Sequence, residues 1–238
     1  MKISDKELKK IEKSARNIST LKGFDYYVVL YTSKTIIPLC KGTEILELGP
    51  ADGLMTKLLS ERFKSITAVD ASESLLRKAR KYVGDNNVKF IESLFEKYSP
   101  EKKFDTIILS HVLEHVIYPV NLLKQVKIWL KKRGRIIICV PNALSLHRQI
   151  GGNMGLLKNI YALNEKDRAI GHYRIYDMKR LIKGVKKAGL KILNSGGILL
   201  KPLSNNQLLD FGEDYFDALY KLGKKYPEIC SEIYVVVS

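Results

Sequence analysis

The sequence predicts an α/β domain: a mostly parallel sheet with helices on both faces. Three observations point there. From residue 43 onward, short β-branched runs alternate with amphipathic stretches of helical period. The run "FDTIILSH" (104–111) is apolar almost throughout, as suits a strand covered on both sides. The 238 residues, 45% hydrophobic and 28% charged, are enough for one large domain, or one domain with a small appendage.

Taken in order, the first forty residues read as a helical cover. "KELKKIEKSARNI" carries an apolar stripe at spacings of three and four, and "GFDYYVVLYTSKTIIPLC" is either a second helix or a covering segment. "TEILELG" (43–49) is a first strand ended by glycine, and "GLMTKLLSERF" (53–63) has helical spacing. "SITAVDAS" (65–72) is the second strand, leading through Ser72, a side chain suited to an N-cap, into a helix at 73–83. Strands follow at 88–93 and 104–111, then a helix at 120–132 with Pro119 in its first turn. A fifth strand spans 134–141. A helix at 177–190 starts from Asp177, and two final strands cover 190–197 and 231–238. Residues 142 to about 175 lack a sheet strand. They follow a strand's carboxyl end, where open α/β sheets bind ligands, so they are expected to be a functional insertion in a domain spanning 41–238. The stretch 201–230 is a candidate for a second such region.

Composition narrows the function classes. No run of about 18 apolar residues could span a bilayer. The N-terminus is basic and polar without an apolar signal core, so no secretory peptide and a cytoplasmic location are expected. Cys40, Cys139 and Cys230 are odd in number and widely spaced, which fits free thiols and not a metal cluster. The net charge of +16 raises nucleic acid as a partner, but 31 of the 41 basic residues are lysines spread along the chain without a basic tail. The sequence is silent on oligomeric state.

Chemistry concentrates first in "ILELGPADG" (45–53). After a parallel strand the backbone must turn tightly and approach a ligand at the sheet edge, and small residues permit that approach. The spacing is neither the GxGxxG of a dinucleotide fold nor a P-loop. Seventeen residues beyond Gly53, Asp70 ends the second strand, where a carboxylate can accept hydrogen bonds from the two hydroxyls of a ribose. A plain helix-capping role is the alternative for Asp70.

This pairing, with the strands that follow, resembles the class I S-adenosylmethionine-dependent methyltransferases over Ile45 to Ser238. "ILELGPADG" is similar to that family's first motif and "AVDAS" to its second. "SHVLEHV" and "GHYRIYDMKRLIKGVKKAGLKI" are similar to the branch of ubiquinone-type O-methyltransferases and of sugar and natural-product methyltransferases. The resemblance implies a Rossmann-like, seven-stranded, mostly parallel sheet whose last strand runs antiparallel between the fifth and sixth. It implies S-adenosyl-L-methionine as cofactor, with Glu47, Gly49, Ala51, Gly53, Asp70, Ala71 and Ser110 around it. The residue flanking the adenine falls among Glu92, Ser93 and Leu94, with Ser93 and Leu94 taken as candidates. Ala51 replaces the motif's middle glycine, a change that close backbone approach tolerates if its φ is negative.

Four histidines, His111, His115, His147 and His172, follow the fourth or fifth strand. His172 or His115 is the expected general base for a hydroxyl acceptor. On a helix His111 and His115 would share a face beside Glu114, but no third ligand is evident and no metal is expected. Arg148, Arg168 and Arg174, close to Arg180, are candidate contacts to an anionic acceptor or else solvated cations. Tyr27, with Tyr26 and Tyr31, either closes over the site or packs a helix. The expected activity is methyl transfer to oxygen or nitrogen of a small molecule or carbohydrate. An RNA methyltransferase, a nicotinamide-dependent dehydrogenase and a non-catalytic nucleotide-binding protein are the alternatives.

Overall fold

A computed structural model describes residues 5–84 and 87–238. The strands are β1 (Glu44–Leu48), β2 (Ser65–Asp70), β3 (Val88–Glu92), β4 (Phe104–Ser110), β5 (Leu130–Pro141), β6 (Ile192–Leu200) and β7 (Cys230–Val237). They form one sheet in the order β3-β2-β1-β4-β5-β7-β6. Neighbours among β1 to β5 pair in parallel, and β7 runs antiparallel to both β5 and β6. Strand order reverses between β1 and β4, which opens a crevice at their carboxyl ends. Because β7 is reversed, its first residues lie at that same edge, with Glu232 opposite Pro141.

Each strand feeds two cores because its side chains alternate between faces. Leu46, Leu48, Ile107, Leu109, Ile136, Ile138, Ile233 and Val235 pack on one side against α5 (Pro119–Ile128) and α8 (Met178–Lys187). Ile45, Ile66, Ile108, Ile137, Cys139 and Val236 pack on the other. There they meet α2 (Gly23–Ile36), α3 (Leu54–Ser60) and α10 (Glu213–Gly223). The aromatic-rich N-terminal segment is thus a helix, with Phe24, Val28 and Tyr31 buried on its inner face. Before it, α1 (Asp5–Ala15) reaches α4 (Glu73–Val83), where Glu12 accepts hydrogen bonds from the hydroxyls of Ser72 and Ser74. The remaining short helices, α6 (Leu146–Asn153), α7 (Glu165–Ala169) and α9 (Asn205–Leu208), lie in the two stretches after β5 and β6.

Two local differences from expectation have clear causes. The helix expected through residue 132 stops at Ile128, and the chain enters β5 at Leu130. Lys131 and Lys132 continue a helical pattern in sequence, yet pairing passes from Phe104–Leu130 to Thr106–Arg135. The intervening residues loop out with Arg133 at φ 66°. Secondly, residues 111–118 form successive turns and no helix, so His111 and His115 do not share a helix face.

Candidate active site

One cavity of about 1310 Å³ occupies the carboxyl edge of the sheet. That is large enough for a nucleoside-sized group together with a small acceptor. Its walls come from the bend after β1, the tips of β2 and β4, the segment after β3, the start of β7, the insertion and the N-terminal helices.

The bend is held from several directions. The Gly49 amide donates to the Val69 carbonyl at 2.9 Å, and the Gly53 amide donates to the Pro50 carbonyl at 2.9 Å. Gly49 has φ 74° and Gly53 φ 99°. A Cβ on Gly49 would stand 3.0 Å from Val112, so the bend and the turn after β4 are in close contact. Ala51 has φ 50°, contrary to the negative φ under which alanine was expected to be tolerated. The left-handed conformation is therefore retained at a residue that adopts it with some strain. Asp52 is buried, and its carboxylate accepts from the amide of Thr20 at 3.0 Å and from the Thr20 hydroxyl. The N-terminal segment is thereby tied to the bend. Gly53 stands behind the cavity wall: a Cβ there would approach the Ala79 Cα to 2.9 Å, so its smallness serves the packing of α3 on α4.

Two carboxylates flank the bend. Glu47 is buried and accepts the Thr56 hydroxyl at 2.6 Å. Burial pushes its carboxyl up to about 7, the Thr56 bond opposes that, and the nearby charge of Asp70 adds to it. Asp70 lines the cavity at the tip of β2 and accepts the Ser72 amide at 2.8 Å. Burial raises it to about 6 against the pull of the Ser72 and Ala71 amides. Ala71 and Ser110 are also on the wall. Beyond β3, Leu94 faces the cavity, whereas Ser93 turns its hydroxyl to the Leu94 carbonyl and is not part of the lining.

The rest of the cavity is richer in buried ionisable groups than the sequence reveals. His115 and His172 both line the cavity, their rings edge to face with centroids 4.6 Å apart. Burial drives His115 down to about 4, so it is neutral and weakly basic near pH 7. His172 is 3.3 Å from Asp167 through Nδ1. Donor atoms of Glu114, His115 and His172 lie within 4.8 Å of one another, so the histidine absent from the sequence neighbourhood of His115 arrives from the insertion. Glu114 already faces His111 and His172 already faces Asp167.

His111 sits at φ 55° directly after β4. Its Nδ1 is 3.4 Å from Glu114, which is fully buried, and its Nε2 is 3.5 Å from Glu232. Burial alone would lower the imidazole, but Glu232 and Glu114 more than reverse that and raise it to about 9. Lys201 and His147 complete this end. Burial brings Lys201 down to about 8 and His147 to about 3. Glu232, Lys201 and Asp52 were not singled out from the sequence. The one available sign for Glu232 was an acid opening an otherwise apolar strand, "SEIYVVV".

The basic and aromatic candidates are placed differently from expectation. Arg148 reaches the cavity wall, but its guanidinium donates to the carbonyls of Ile160 and Ala162 and lies 3.7 Å from Asp167. Arg174 donates to the carbonyls of Leu113, Val116 and Ile117, bracing the turns after β4. Arg168 is exposed and outside the lining. Tyr27 stacks on Phe216 at 3.7 Å, away from the cavity. The lysines that do face the cavity include Lys166 and Lys201.

A 3-2-1-4-5-7-6 sheet with one reversed strand, a tight bend after β1 and an acid at the tip of β2 together define the class I methyltransferase architecture. A family model described as a methyltransferase domain matches residues 24–195, well over half of the chain, and the chain belongs to that family. Among curated relatives, the ubiquinone biosynthesis O-methyltransferase of Rickettsia akari (strain Hartford) is 31% identical over 143 residues, covering 52% of this chain and 57% of that protein. Its counterpart in Rickettsia conorii is 33% identical over 204 residues, covering 77% and 64%. The chain thus spans a little over half to about two thirds of the length of these relatives. Among solved structures, the N-methyltransferase NodS from Bradyrhizobium japonicum in complex with S-adenosyl-L-homocysteine superposes with a TM-score of 0.63 at 11% identity. That match covers 96% of this chain and 97% of NodS. An S-adenosylmethionine-dependent methyltransferase from Mesorhizobium loti gives 0.60 at 15%, covering 87% and 95%. At such identities these two likenesses speak for the fold. No helix among the described residues is long and apolar enough to cross a membrane.

Proposed function

We propose that the protein transfers the methyl group of S-adenosylmethionine to a hydroxyl oxygen of a small molecule. The observation that carries this is the convergence on one cavity of the Gly49–Ala51 bend, the Asp70 carboxylate and the buried acid–imidazole cluster at the start of β7. The residues fit the cofactor. Gly49 leaves a cradle that a Cβ would fill, and Asp70 presents a carboxylate to a ribose at a strand tip. When bound, the sulfonium supplies an activated methyl carbon and a neutral leaving group, so the protein's main task is to align acceptor and methyl. Glu47, Asp70 and the bend orient the nucleoside end. The N-terminal segment, tied to the bend by Thr20 and to the insertion by the Lys10–Tyr173 hydrogen bond at 2.9 Å, forms part of the cavity wall. Oxygen as acceptor is favoured by sequence kinship with the ubiquinone biosynthesis O-methyltransferases.

The test is transfer of labelled methyl from S-adenosylmethionine to a panel containing catechol, 3,4-dihydroxybenzoate, hydroxylated sugars, aminosugars and transfer RNA. Label on a hydroxyl compound supports the reading. Label confined to RNA or to amines overturns it.

A further inference from the structure

The cluster formed by Glu232, His111 and Glu114 calls for an explanation beyond packing. Three ionisable side chains meet at the carboxyl edge, brought together from the turn after β4 and from β7, more than a hundred residues later in the chain. Glu232 is 6% exposed, lines the cavity, and its Oε2 is buried without a hydrogen-bond partner. At 3.5 Å from His111 Nε2 that oxygen is ion-paired but not hydrogen-bonded, and a buried carboxylate so placed is costly and is seldom retained without a use. His111, beside it, holds a left-handed backbone conformation that a non-glycine residue adopts only under constraint. Val112, its neighbour, is the residue that a Cβ on Gly49 would touch, so the pair stands next to the cofactor bend.

Resting on the methyl-transfer reading above, we propose that Glu232 is the base that takes the proton from the acceptor hydroxyl, and that His111 is the residue positioning it. The acceptor class is therefore a neutral hydroxyl compound, phenol or sugar, that must lose a proton on methylation. As the acceptor oxygen forms its bond to the methyl carbon, the carbon–sulfur bond breaks and sulfur keeps the electron pair. The hydroxyl proton passes to the Glu232 carboxylate, which becomes neutral, and the positive charge of the sulfonium is discharged in the same event. His111 cannot serve as this base, because two carboxylates hold it as an imidazolium. His115, driven down by burial, is too weak a base.

Glu232 is suited to the task. Burial raises its carboxyl to about 7, where a general base works best near neutral pH. The charged groups facing it are His111 and Glu114 from the turns after β4, Lys201 from the end of β6 and Asp25 from α2. His111 and Lys201 favour its ionised form, while Glu114 and Asp25 oppose it.

The test uses the full chain, S-adenosylmethionine for turnover, S-adenosylhomocysteine for binding, catechol, and 4-nitrocatechol, a phenol whose colour changes on ionisation. Glu232→Gln should bind S-adenosylhomocysteine as wild type does, yet turn over catechol about 100-fold more slowly or worse, the usual range for loss of a general base. The wild-type rate should rise with pH to a plateau above about 7, whereas the variant's residual rate should keep rising as catechol itself ionises. In the S-adenosylhomocysteine complex, Glu232→Gln should bring 4-nitrocatechol to its ionised colour at a lower pH than wild type does, because a carboxylate beside the phenol opposes a second negative charge. His111→Gln should shift the midpoint of the pH profile upward by about one unit, as expected when a neighbouring cation is removed; a merely structural histidine would lower the rate and leave the midpoint in place. Glu232→Gln with a wild-type rate and pH profile overturns the assignment, as does loss of the plateau in His172→Gln but not in Glu232→Gln. A wild-type chain that fails to bind S-adenosylhomocysteine or to methylate any hydroxyl compound overturns the methyl-transfer reading itself, and the base assignment with it.

Discussion

Gly53→Ala is the substitution whose consequence the geometry defines most closely. Gly53 opens α3 at φ 99° and ψ 5°, and an added Cβ would stand 2.9 Å from the Ala79 Cα, 3.1 Å from its Cβ and 3.3 Å from its carbonyl oxygen. Two of these atoms are backbone of α4, so no side-chain rotation relieves the contact. A left-handed φ at a residue with Cβ costs about 1–2 kcal/mol. Overpacking against a fixed neighbour adds about 1–3 kcal/mol. The reduced freedom of the unfolded chain returns about 0.4–1 kcal/mol. The net loss is then about 2–4 kcal/mol, or roughly 5–15 °C in melting temperature for a chain of this length. Differential scanning calorimetry of the ligand-free protein measures it. Gly152→Ala is the control: it lies in α6 with nothing within 4 Å of an added Cβ. Alanine there should be neutral or stabilising by up to about 1 kcal/mol. If Gly53→Ala melts within a degree or so of wild type, the close approach of α3 and α4 at this point is wrong.

Further expectations concern charge and the turns after β4. Glu47 titrates at about 7 in the folded chain against 4.5 unperturbed. Because the folded value is raised, its stabilising contribution is complete below about pH 4.5 and is lost as pH rises through 7. Glu47→Gln keeps an acceptor for Thr56 and removes that loss, so its stability relative to wild type should grow by about 2–3 kcal/mol between pH 5 and pH 8; urea titrations giving a constant difference would contradict this. Arg174→Met should leave the part-buried carbonyls of Leu113 and Val116 short of a donor, at up to about 1–3 kcal/mol each, while the exposed bond to Ile117 is replaced by water at little cost. Hydrogen exchange should then speed up across 111–118, and unchanged exchange there would refute the brace. Ala51→Gly should be close to neutral in stability, since relief of about 1–2 kcal/mol of left-handed strain is offset by the entropy of an extra glycine. A loss above about 2 kcal/mol by chemical denaturation would count against the φ assigned to Ala51.

The parts of the molecule legible in sequence are those written in local pattern. Short, nearly continuous apolar runs announce β1, β2 and β4, and Asp70 is legible as a strand-tip acid because the strand before it ends cleanly. What escapes is whatever depends on dihedral sign or distant partners. Ala51 looks like a tolerable small residue, yet the sign of its φ is set by the turn closing onto Pro50 and is not encoded in its identity. Gly53 reads as part of a ligand loop, but its neighbour Ala79 belongs to the next helix. Arg148 and Arg174 read as free cations because sequence does not reveal which carbonyls they will reach. Glu232 reads as the edge of a final strand, and only the reversal of β7 carries it to His111.

The account rests on the cavity holding an S-adenosyl group against Asp70. Isothermal titration of S-adenosylhomocysteine into the wild-type chain and into Asp70→Asn tests this directly. Wild type should bind with an affinity that declines as pH falls through about 6, where Asp70 takes up a proton. Asp70→Asn should bind about 10-fold or more weakly, as follows from losing charge-assisted hydrogen bonds worth about 1.5–3 kcal/mol, and should lose that pH dependence. Equal affinity and equal pH dependence in the two proteins, or no heat of binding in either, would contradict the account.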